Sequence, residues 1–445
     1  MSVRLIALSI ALVFAAVVAG AQTRTLTLDE ATKIALVRNL NVVQAQNNIS
    51  SSESSVMAAW GRYLPSLNAS GSWTRTQQEG PIYTQGVAIP GSNAKQTSGS
   101  FSAGLSAGLT LFDGFSREAN LNRAQANSAS TEHTFIRTKQ SIVFQVESSY
   151  LDLLRQEQLV RVNEENLKRD NRQLERIVES NRVGALSLAD VYRQQSQVAA
   201  DELALINAQN SLDKSRADLV ALIGLNVADD YKFVDASIAA KPDSTEFASV
   251  HAKYADLGVL TSSALTARPD YLGAKENLDA SSSTVTMARA GYFPSLSAQA
   301  GLSGNNDNIS NLFDYKTIYW GVRLSWTLFD GFATNQSIQS ASASKRNAEI
   351  TLAQTERSIS VEMKKALLDL DAAMKQYEVS QKGLTSASED RKIAEERYNL
   401  GAGTLLDLLV ASASFVSAEA NVVNASYNYI IAKRNVEYVL GERTY

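Results

Sequence analysis

Two stretches of the chain, which carry almost the same residues, are the starting point for predicting its fold. The first is LTLFDGFS at residues 109–116, and the second is WTLFDGFA at residues 326–333. Each begins as an apolar run, passes through Asp-Gly, and continues into a segment without proline. Asp-Gly between an extended run and a helical segment is typical of a tight turn. Each half of the chain therefore contains the same predicted strand-to-helix junction.

The spacing of further matches shows that a whole unit is duplicated. The leucines that open the two LFDGF segments are Leu111 and Leu328, an offset of 328 − 111 = 217. The motifs downstream keep this offset: VGALS at 183 matches LGAGT at 400, and LIG at 222 matches VLG at 439. Upstream, YLPSL at 63 matches YFPSL at 292, an offset of 229. A constant period on each side of one difference in length (229 − 217 = 12) indicates an internal repeat.

The beginning of the chain predicts export. Arg4 precedes an apolar run at residues 5–19, and Ala19-Gly20-Ala21 fits the small-x-small cleavage pattern. The run is too short to span a bilayer as a helix, and no later stretch is expected to do so. We therefore predict a signal peptide at residues 1–21. The repeat then predicts a first structural unit at 22–225, a connector at 226–255 and a second unit at 256–445.

Composition narrows the classes of function. The 445 residues carry a net charge of −4, so a nucleic-acid partner is not expected. The absence of cysteine excludes disulfides, thiolate chemistry and a lipid anchor on cysteine. The two histidines, His133 and His251, are far apart in sequence. We find no catalytic constellation and expect neither a metal nor a cofactor, so an enzyme is the least favoured reading.

Period-two alternation predicts four strands, two in each repeat. The clearest runs are at residues 99–111 and 318–328, and weaker runs precede them at 67–74 and 295–303. One face is apolar and the other is rich in Ser, Gly and Thr. A soluble antiparallel sheet gives the same pattern. Three features favour a membrane barrel instead: the export signal, strands of about ten residues, and aromatic side chains near the strand ends.

Four strands are too few to close a barrel, and an open sheet edge in lipid leaves its N–H and C=O groups unpaired. Other copies of the chain must then complete it. Two copies give eight strands, whose interior side chains fill; three copies give twelve and leave more room. The Ser, Gly and Thr face favours the larger ring.

Long helices are predicted after each LFDGF segment. Ser116–Arg182 and Ala333–Asn399 each have 67 residues without proline, about 100 Å if continuous. In the first, Val146, Leu153, Val160, Leu167 and Leu174 recur every seven residues, which predicts a coiled-coil seam. Shorter helices are predicted at 40–63 and Leu188–Ile223, and together they nearly equal the length of one long helix.

The duplicated order of these motifs, the RPD at residues 268–270 and the signal peptide resemble the TolC-like family of outer-membrane efflux channels. The resemblance implies a homotrimer with a twelve-stranded barrel in outer-membrane lipid, four strands per chain. It also implies long antiparallel α-helices that form a helical barrel through the periplasm. It implies partners, a periplasmic adaptor and an inner-membrane pump, and export of small toxic molecules or proteins.

Two helix–turn–helix segments are the candidate sites. Gly184 and Gly401 allow the chain to reverse after a long helix, which a plain glycine cap also explains. The resemblance implies that these turns contact the adaptor, through Val183, Gly184 and Ala185 and through Leu400, Gly401 and Ala402.

The same resemblance implies a gate at the periplasmic mouth, with Asp407, Asp190 and Tyr398 as its residues. Asp407 and its repeat mate Asp190 are also explained as carboxylates that favour a helix N-terminus. The resemblance implies a ring of Asp407 from three chains, and a hydrogen bond from Tyr398 to Asp190. The chain departs from the family pattern at Val410, where relatives have a second acid, and at Gly403, where they have an arginine. Two alternative functions remain at this point, a structural or adhesive trimer and a passive porin.

Overall fold

The computed structural model describes residues 24–234, 242 and 245–442. The predicted signal peptide lies outside the described residues. The helices are α1 Leu28–Arg38, α2 Leu40–Gly61, α3 Ser116–Arg182, α4 Leu188–Ile223, α5 Glu246–Lys253, α6 Leu257–Ala267, α7 Pro269–Arg289, α8 Ala333–Asn399 and α9 Leu405–Leu440. The strands are β1 Arg24–Leu26, β2 Ser66–Thr84, β3 Val87–Phe112, β4 Tyr231–Phe233, β5 Ser295–Asn306 and β6 Lys316–Ser325. The predicted bounds of α3, α4 and α8 are confirmed.

The two LFDGF junctions have the same atomic geometry. Asp113 Oδ2 accepts a hydrogen bond from the backbone N–H of Arg117 at 3.1 Å, which satisfies a free donor at the start of α3. Asp330 Oδ2 accepts from the backbone N–H of Thr334 at 2.7 Å at the start of α8. Phe115 and its repeat mate Phe332 both adopt positive φ, 69° and 70°, a conformation that β-carbon-bearing residues seldom adopt. The duplication therefore extends to backbone conformation.

The predicted heptad seam of α3 is confirmed, and α8 has a matching buried line of side chains. In α3 the seam side chains are buried or half-buried, and three of them, Val146, Leu153 and Val160, are at most 8% exposed. In α8 the matching residues Met363, Leu370 and Tyr377 are also buried. Side chains spaced by seven residues lie along one side of a helix, so each long helix packs along a continuous line.

One four-stranded antiparallel sheet, in the order β2-β3-β5-β6, combines both predicted hairpins. The sheet is open within the described residues, with β2 and β6 as its edges. Residues 48–132 and 273–354, which include the whole sheet, form one compact unit. Each repeat contributes one hairpin to it, as the period-two pattern predicts.

The first hairpin is much longer than predicted. β2 has 19 residues and β3 has 26, and they pair as far as Thr84 and Val87. Gln85 and Gly86 connect them with φ of 52° and 81°, the signs that a two-residue type I′ turn requires. Pro81 lies within β2 and Pro90 within β3. The pairing shifts register between Pro81 and Tyr83, and such bulges accommodate proline since the ladder loses a donor there.

The second hairpin ends earlier than the alternation predicts. β6 stops at Ser325, whereas the apolar pattern continues to Leu328. Its last pair joins Ser295 to Ser325, so no partner residue of β5 remains for the next three positions. Trp326 instead donates its indole N–H to the carbonyl oxygen of Tyr292 at 3.2 Å. The apolar/polar alternation therefore continues about three residues beyond the last backbone pair of β6.

The other compact unit comprises the described residues before 48, residues 133–272 and the residues from 355 onward. It contains two large apolar clusters. One joins Leu26, Tyr150, Leu219 and Phe233 with their neighbours, and the parallel pair β1–β4 lies against it. The other gathers apolar side chains from α5, α6, α8 and α9, among them Phe247, Met363 and Val436. The helices of each repeat therefore have a core of their own.

Helix α9 corrects the expectation that no later stretch could span a bilayer. It has 36 residues and a mean hydropathy of 1.4 over 18 of them, enough by length and composition. Its apolar side chains have another explanation, since Val436, Val439 and Leu440 are buried in the second apolar cluster. Leu405, at its other end, is buried in the cluster between the two helical turns described below.

Candidate functional site

The two helix–turn–helix segments, named here tip 1 (residues 180–190) and tip 2 (residues 397–407), have the same hydrogen-bond pattern. In tip 1 the N–H of Ala185 donates to the carbonyl of Ser180 at 2.8 Å, and Gly184 donates to Asn181 at 2.9 Å. In tip 2 Ala402 donates to Arg397 at 2.8 Å and Gly401 to Tyr398 at 3.0 Å. This pair of bonds is the Schellman motif, which ends a helix at a left-handed residue.

A side-chain cap starts the next helix in each tip. In tip 1 Ser187 Oγ accepts from the backbone N–H of Asp190 at 3.3 Å. In tip 2 Thr404 Oγ1 accepts from the N–H of Asp407 at 3.2 Å, and Asp407 Oδ2 accepts in return from the N–H of Thr404 at 3.0 Å. This reciprocal arrangement is a capping box, closed here by aspartate. Both aspartates thus have a local structural role, as the helix-terminus interpretation predicts.

Hydrogen bonding keeps the Asp407 carboxylate charged. The backbone N–H and the hydroxyl of Thr404 donate to it, and they hold the pKa of Asp407 below its ordinary value. The side chain is exposed in the single chain. Asp407 therefore presents a negative charge to solvent at the beginning of α9.

An apolar cluster brings the two tips together. Ile177, Val191 and Leu405 are buried in it, and partly buried Leu174, Leu186, Tyr398 and Leu409 pack around them. The structure thereby places residues of both repeats, which are distant in sequence, around one small core. This cluster was not among the candidate sites, although the leucines at 174 and 186 flank the predicted turn.

The expected hydrogen bond from Tyr398 to Asp190 is not formed within the chain. The Tyr398 hydroxyl is buried and has no hydrogen-bond partner among the described residues. Burial raises its pKa, and the nearby negative charge of Asp190 raises it further. Asp190 itself accepts from the Ser187 hydroxyl at 2.8 Å and pairs with Arg193 at 3.2 Å. These two local donors engage the carboxylate, so Tyr398 lies near it without bonding.

All six residues predicted to contact a partner are exposed. They lie on the outer side of the turns, and Leu400 is 82% and Val183 71% exposed. The other four are Gly184, Ala185, Gly401 and Ala402. Exposed leucine and valine beside glycine give a small apolar surface with little side-chain entropy to lose on binding. Within the described residues no group of three or more His, Cys, Asp or Glu is placed to hold a metal ion.

Sequence reasoning missed a polar cluster among α3, α4, α8 and α9, above the tips. The guanidinium groups of Arg169 and Arg391 lie 5.4 Å and 4.6 Å from the centre of the Phe415 ring, within cation–π range. Arg169 also pairs with Glu419 at 3.5 Å. Asp170 and Asp201 are buried beside this group. The one signal in the sequence is the position of Asp170, three residues after Leu167 of the seam, which places this acid near the buried side of α3.

The profile of the outer membrane efflux protein family matches residues 31–225 and 260–442. The TolC outer membrane protein of Vibrio cholerae is 25% identical over 361 residues, 78% of either chain. The toluene efflux pump outer membrane protein TtgC of Pseudomonas putida is 24% identical over 429 residues, 93% of this chain and 82% of its own.

Solved structures agree in fold. The outer membrane protein VceC of Vibrio cholerae aligns with a TM-score of 0.76 and 19% identity, over 93% of this chain and 96% of its own. The CmeC outer membrane channel of Campylobacter jejuni aligns with the same score and identity, over 93% and 85%. The resemblance inferred from the motifs is thus confirmed, and, since the family profile spans most of its length, the chain belongs to the outer membrane efflux protein family.

Proposed function

We propose that three copies of this chain form a channel that spans the outer membrane and continues into the periplasm as a helical duct. The observation that carries the proposal is the open four-stranded sheet with an exposed apolar face. Trp320 is 85% exposed, and Leu67, Ile318 and Leu324 are between 67% and 69% exposed. A soluble sheet buries such a face, whereas a lipid-facing sheet leaves it on the outside.

The edges of this sheet support assembly. β2 and β6 each have one unpaired side, which is too costly to leave in lipid. Two further copies would pair these edges and give twelve strands, a ring with room for a water-filled lumen. The polar Ser, Gly and Thr positions of the same strands would line that lumen. A four-strand contribution per chain also argues against a porin, whose chains supply many more strands.

The tips support a connection to other proteins. Their exposed leucine and valine lie on rigid, capped turns, and preformed apolar surfaces bind with a small entropic cost. We propose that the six tip residues contact a periplasmic adaptor, which joins the channel to an inner-membrane pump. Asp407, Asp190 and Tyr398 would then border the mouth of the duct, where rings of carboxylates favour cations.

The names of relatives guide the choice of cargo. The relatives include a toluene efflux pump component, a pyoverdine export protein and CyaE of Bordetella pertussis. We propose export of small toxic molecules or proteins, with the pump selecting the cargo because the channel lining is generic. A structural or adhesive trimer is less favoured, because each of the two repeats supplies its own hairpin to the sheet.

The test is deletion of the gene followed by complementation. Strains carry the wild-type chain, the Gly184→Glu/Gly401→Glu variant, or the matched surface control Glu202→Gln. Survival is measured with drugs, bile salts and metal ions, and secreted proteins are quantified in the medium. We expect the deletion to lose at least one function, the control to restore it, and the tip variant to fail although it reaches the outer membrane. Unchanged survival and secretion in the deletion strain would contradict the proposal.

A further inference from the structure

Two buried carboxyl groups face each other between α3 and α4. Asp170 and Asp201 are 8% and 7% exposed, and their side chains are within hydrogen-bonding distance of one another. Asp170 lies near the end of α3, and Asp201 lies in the first half of α4. Two ionised carboxylates repel and have no hydrogen to share, so a hydrogen bond between them requires that one holds a proton.

One oxygen atom of the pair, Asp201 Oδ2, has no hydrogen-bond donor from the surrounding described residues. Asp201 Oδ1 accepts from Gln197 Nε2 at 3.0 Å. Asp201 Oδ2 is buried and receives no N–H or hydroxyl donor from the described residues. Fully buried Gln194 lies beside the pair, but its amide donates to the backbone carbonyl of Asp170 at 3.2 Å. A proton on one carboxyl group supplies the missing donor.

The charged groups of each neighbouring helix are accounted for. On α3, Arg169 lies beside the pair, with Glu165 farther along toward Glu419; on α4 the charged partner is Asp201 itself. On α8 the charges are Arg391 and Glu395, and Glu395 pairs at 3.7 Å with Arg176 of α3, which lines the same pocket as Asp170. On α9 the charge is Glu419, which pairs with Arg169. Burial raises the pKa of Asp170 to about 7, helped by the hydrogen bond and charge of Asp201, while the two arginines lower it by less.

The internal repeat shows that the helix pair does not need these acids. At the repeat offset of 217, the matching residues are Ala387 and Ala418. They occupy the equivalent positions in the helix pair of the second repeat, α8 and α9, whose helices have the same lengths as α3 and α4. One hairpin of the chain thus has two alanines where the other has two carboxyl groups, so packing alone does not explain Asp170 and Asp201.

We propose that Asp170 and Asp201 form a proton-binding site that retains one proton while α3 and α4 are packed and releases it when they separate. This proposal rests on the α3–α4 pair itself and does not depend on the exported cargo or on a partner. Its consequence is that the packing of α3 against α4, a helical hairpin, is more stable at acid pH and less stable at neutral or alkaline pH. Since tip 1 is the end of the same hairpin, its anchoring becomes sensitive to periplasmic pH.

The direction follows from proton linkage. In the separated helices Asp170 has the ordinary aspartate pKa of 3.8, whereas packing of the helices raises the pKa of Asp170 to about 7. The stability that the bound proton adds to the packed helices is therefore fully present below about pH 4 and is lost as pH rises to about 7. Opening releases about one proton, so the opening equilibrium constant rises up to about tenfold per pH unit within this window and levels off above it.

Hydrogen exchange measured by mass spectrometry on the detergent-purified full chain tests this behaviour. Protection of peptides from 164–182 and 188–205, corrected for intrinsic exchange, is followed between pH 5 and 8. We expect wild-type protection to fall with pH up to about 7, and the matched surface control Glu202→Gln to do the same. Asp170→Asn, whose amide donates at every pH, and Asp170→Ala/Asp201→Ala, which copies the second repeat, should show protection independent of pH. A wild-type profile as flat as that of the double alanine variant overturns the proposal.

Infrared spectroscopy provides a direct readout of the proton, independent of hairpin opening. The wild-type chain should show a protonated-carboxyl C=O band at pH 5.5 that disappears by pH 8.5. The band should be absent from Asp170→Ala/Asp201→Ala. It should persist in Glu419→Gln and in Glu157→Gln, because burial also raises the pKa of these two carboxyl groups and the variants separate them from the pair. If the band is unchanged in the double alanine variant, the proton does not reside on this pair.

Discussion

Gly184 and Gly401 end the two 67-residue helices in the same left-handed conformation, with φ of 78° and 71°. Each is the residue that closes a Schellman pair of backbone hydrogen bonds. A β-carbon at either glycine would meet no heavy atom within 4 Å. The requirement for glycine is thus one of backbone conformation and not of space.

This relationship predicts the effect of adding a single methyl group. Gly184→Ala and Gly401→Ala should each lower the free energy of unfolding of the helical part by about 1 kcal/mol, because L-residues disfavour the left-handed region. Gly383→Ala is the matched control, since Gly383 lies exposed inside α8 with no atom near its missing β-carbon. It should raise stability by up to about 1 kcal/mol. Urea unfolding followed by far-ultraviolet circular dichroism measures the three changes; equal effects at all three glycines would contradict the interpretation.

Arg268 predicts a larger loss. Its side chain is almost fully buried and donates to Asp270 Oδ1 at 3.0 Å, to Glu362 Oε2 at 2.8 Å and to the Val439 carbonyl at 3.4 Å. Arg268→Ala leaves these acceptors without their donor, so we expect a loss of about 3–5 kcal/mol in the same unfolding assay. Arg182→Ala removes an exposed arginine paired with Glu179 and should cost less than about 1 kcal/mol. Similar losses for the two variants would show that the buried network does not stabilise the fold.

The same network has a predictable acid limit. Burial favours the neutral form of Asp270, but the hydrogen bonds and charge of Arg268 outweigh it and hold the pKa of Asp270 below its ordinary value. The ion pair therefore stabilises the fold above about pH 4, and this contribution is lost as pH falls below that value. In Arg268→Ala, stability should decline less steeply between pH 4 and pH 2 than in the wild-type chain. If stability declined between pH 4 and pH 2 as steeply in Arg268→Ala as in the wild-type chain, the ion pair with Asp270 would not be the cause of the acid sensitivity.

Asp407 predicts a channel property. Asp407→Asn should weaken block of the current by multivalent cations in planar bilayers, because it removes a carboxylate from the proposed mouth of the duct. Its lowered pKa keeps the wild-type side chain ionised, so block by Asp407 should not change between pH 5 and 8. Asp213→Asn is the control, since Asp213 is an exposed acid in the second half of α4, far along that helix from tip 1. Block that survives in Asp407→Asn would exclude this residue from the cation site.

Local patterns were sufficient to predict the long helices. The ends of α3 and α8 coincide with the prediction because Asp-Gly begins each segment and Val-Gly or Leu-Gly ends it. These signals act between near neighbours in sequence, and the heptad seam supports the interval between them. Period-two alternation likewise predicted the strands of both β-hairpins, since it reports which face of a strand is apolar.

Contacts between distant residues could not be predicted. Nothing near Arg268 in sequence identifies Glu362 as its partner, 94 residues away. The great length of β2 and β3 was missed because residues 75–98 show no sustained alternation of apolar and polar residues, although their backbones are paired. Asp170 was missed because the heptad analysis followed apolar residues and passed over an acid at a buried position.

The central claim is that β2 of one copy pairs with β6 of the next, and cysteine crosslinking tests it directly. The chain contains no cysteine, so each engineered pair is the sole source of disulfides. Variants combine Val322→Cys on β6 with Leu67→Cys, Ala69→Cys or Gly71→Cys on β2. Within one chain two other strands separate these edges, which places them beyond the reach of a disulfide. The account predicts that at least one pair gives a covalent trimer in outer membranes on non-reducing gels, while single-cysteine variants remain monomeric. Monomers alone for all three pairs would contradict the trimeric barrel.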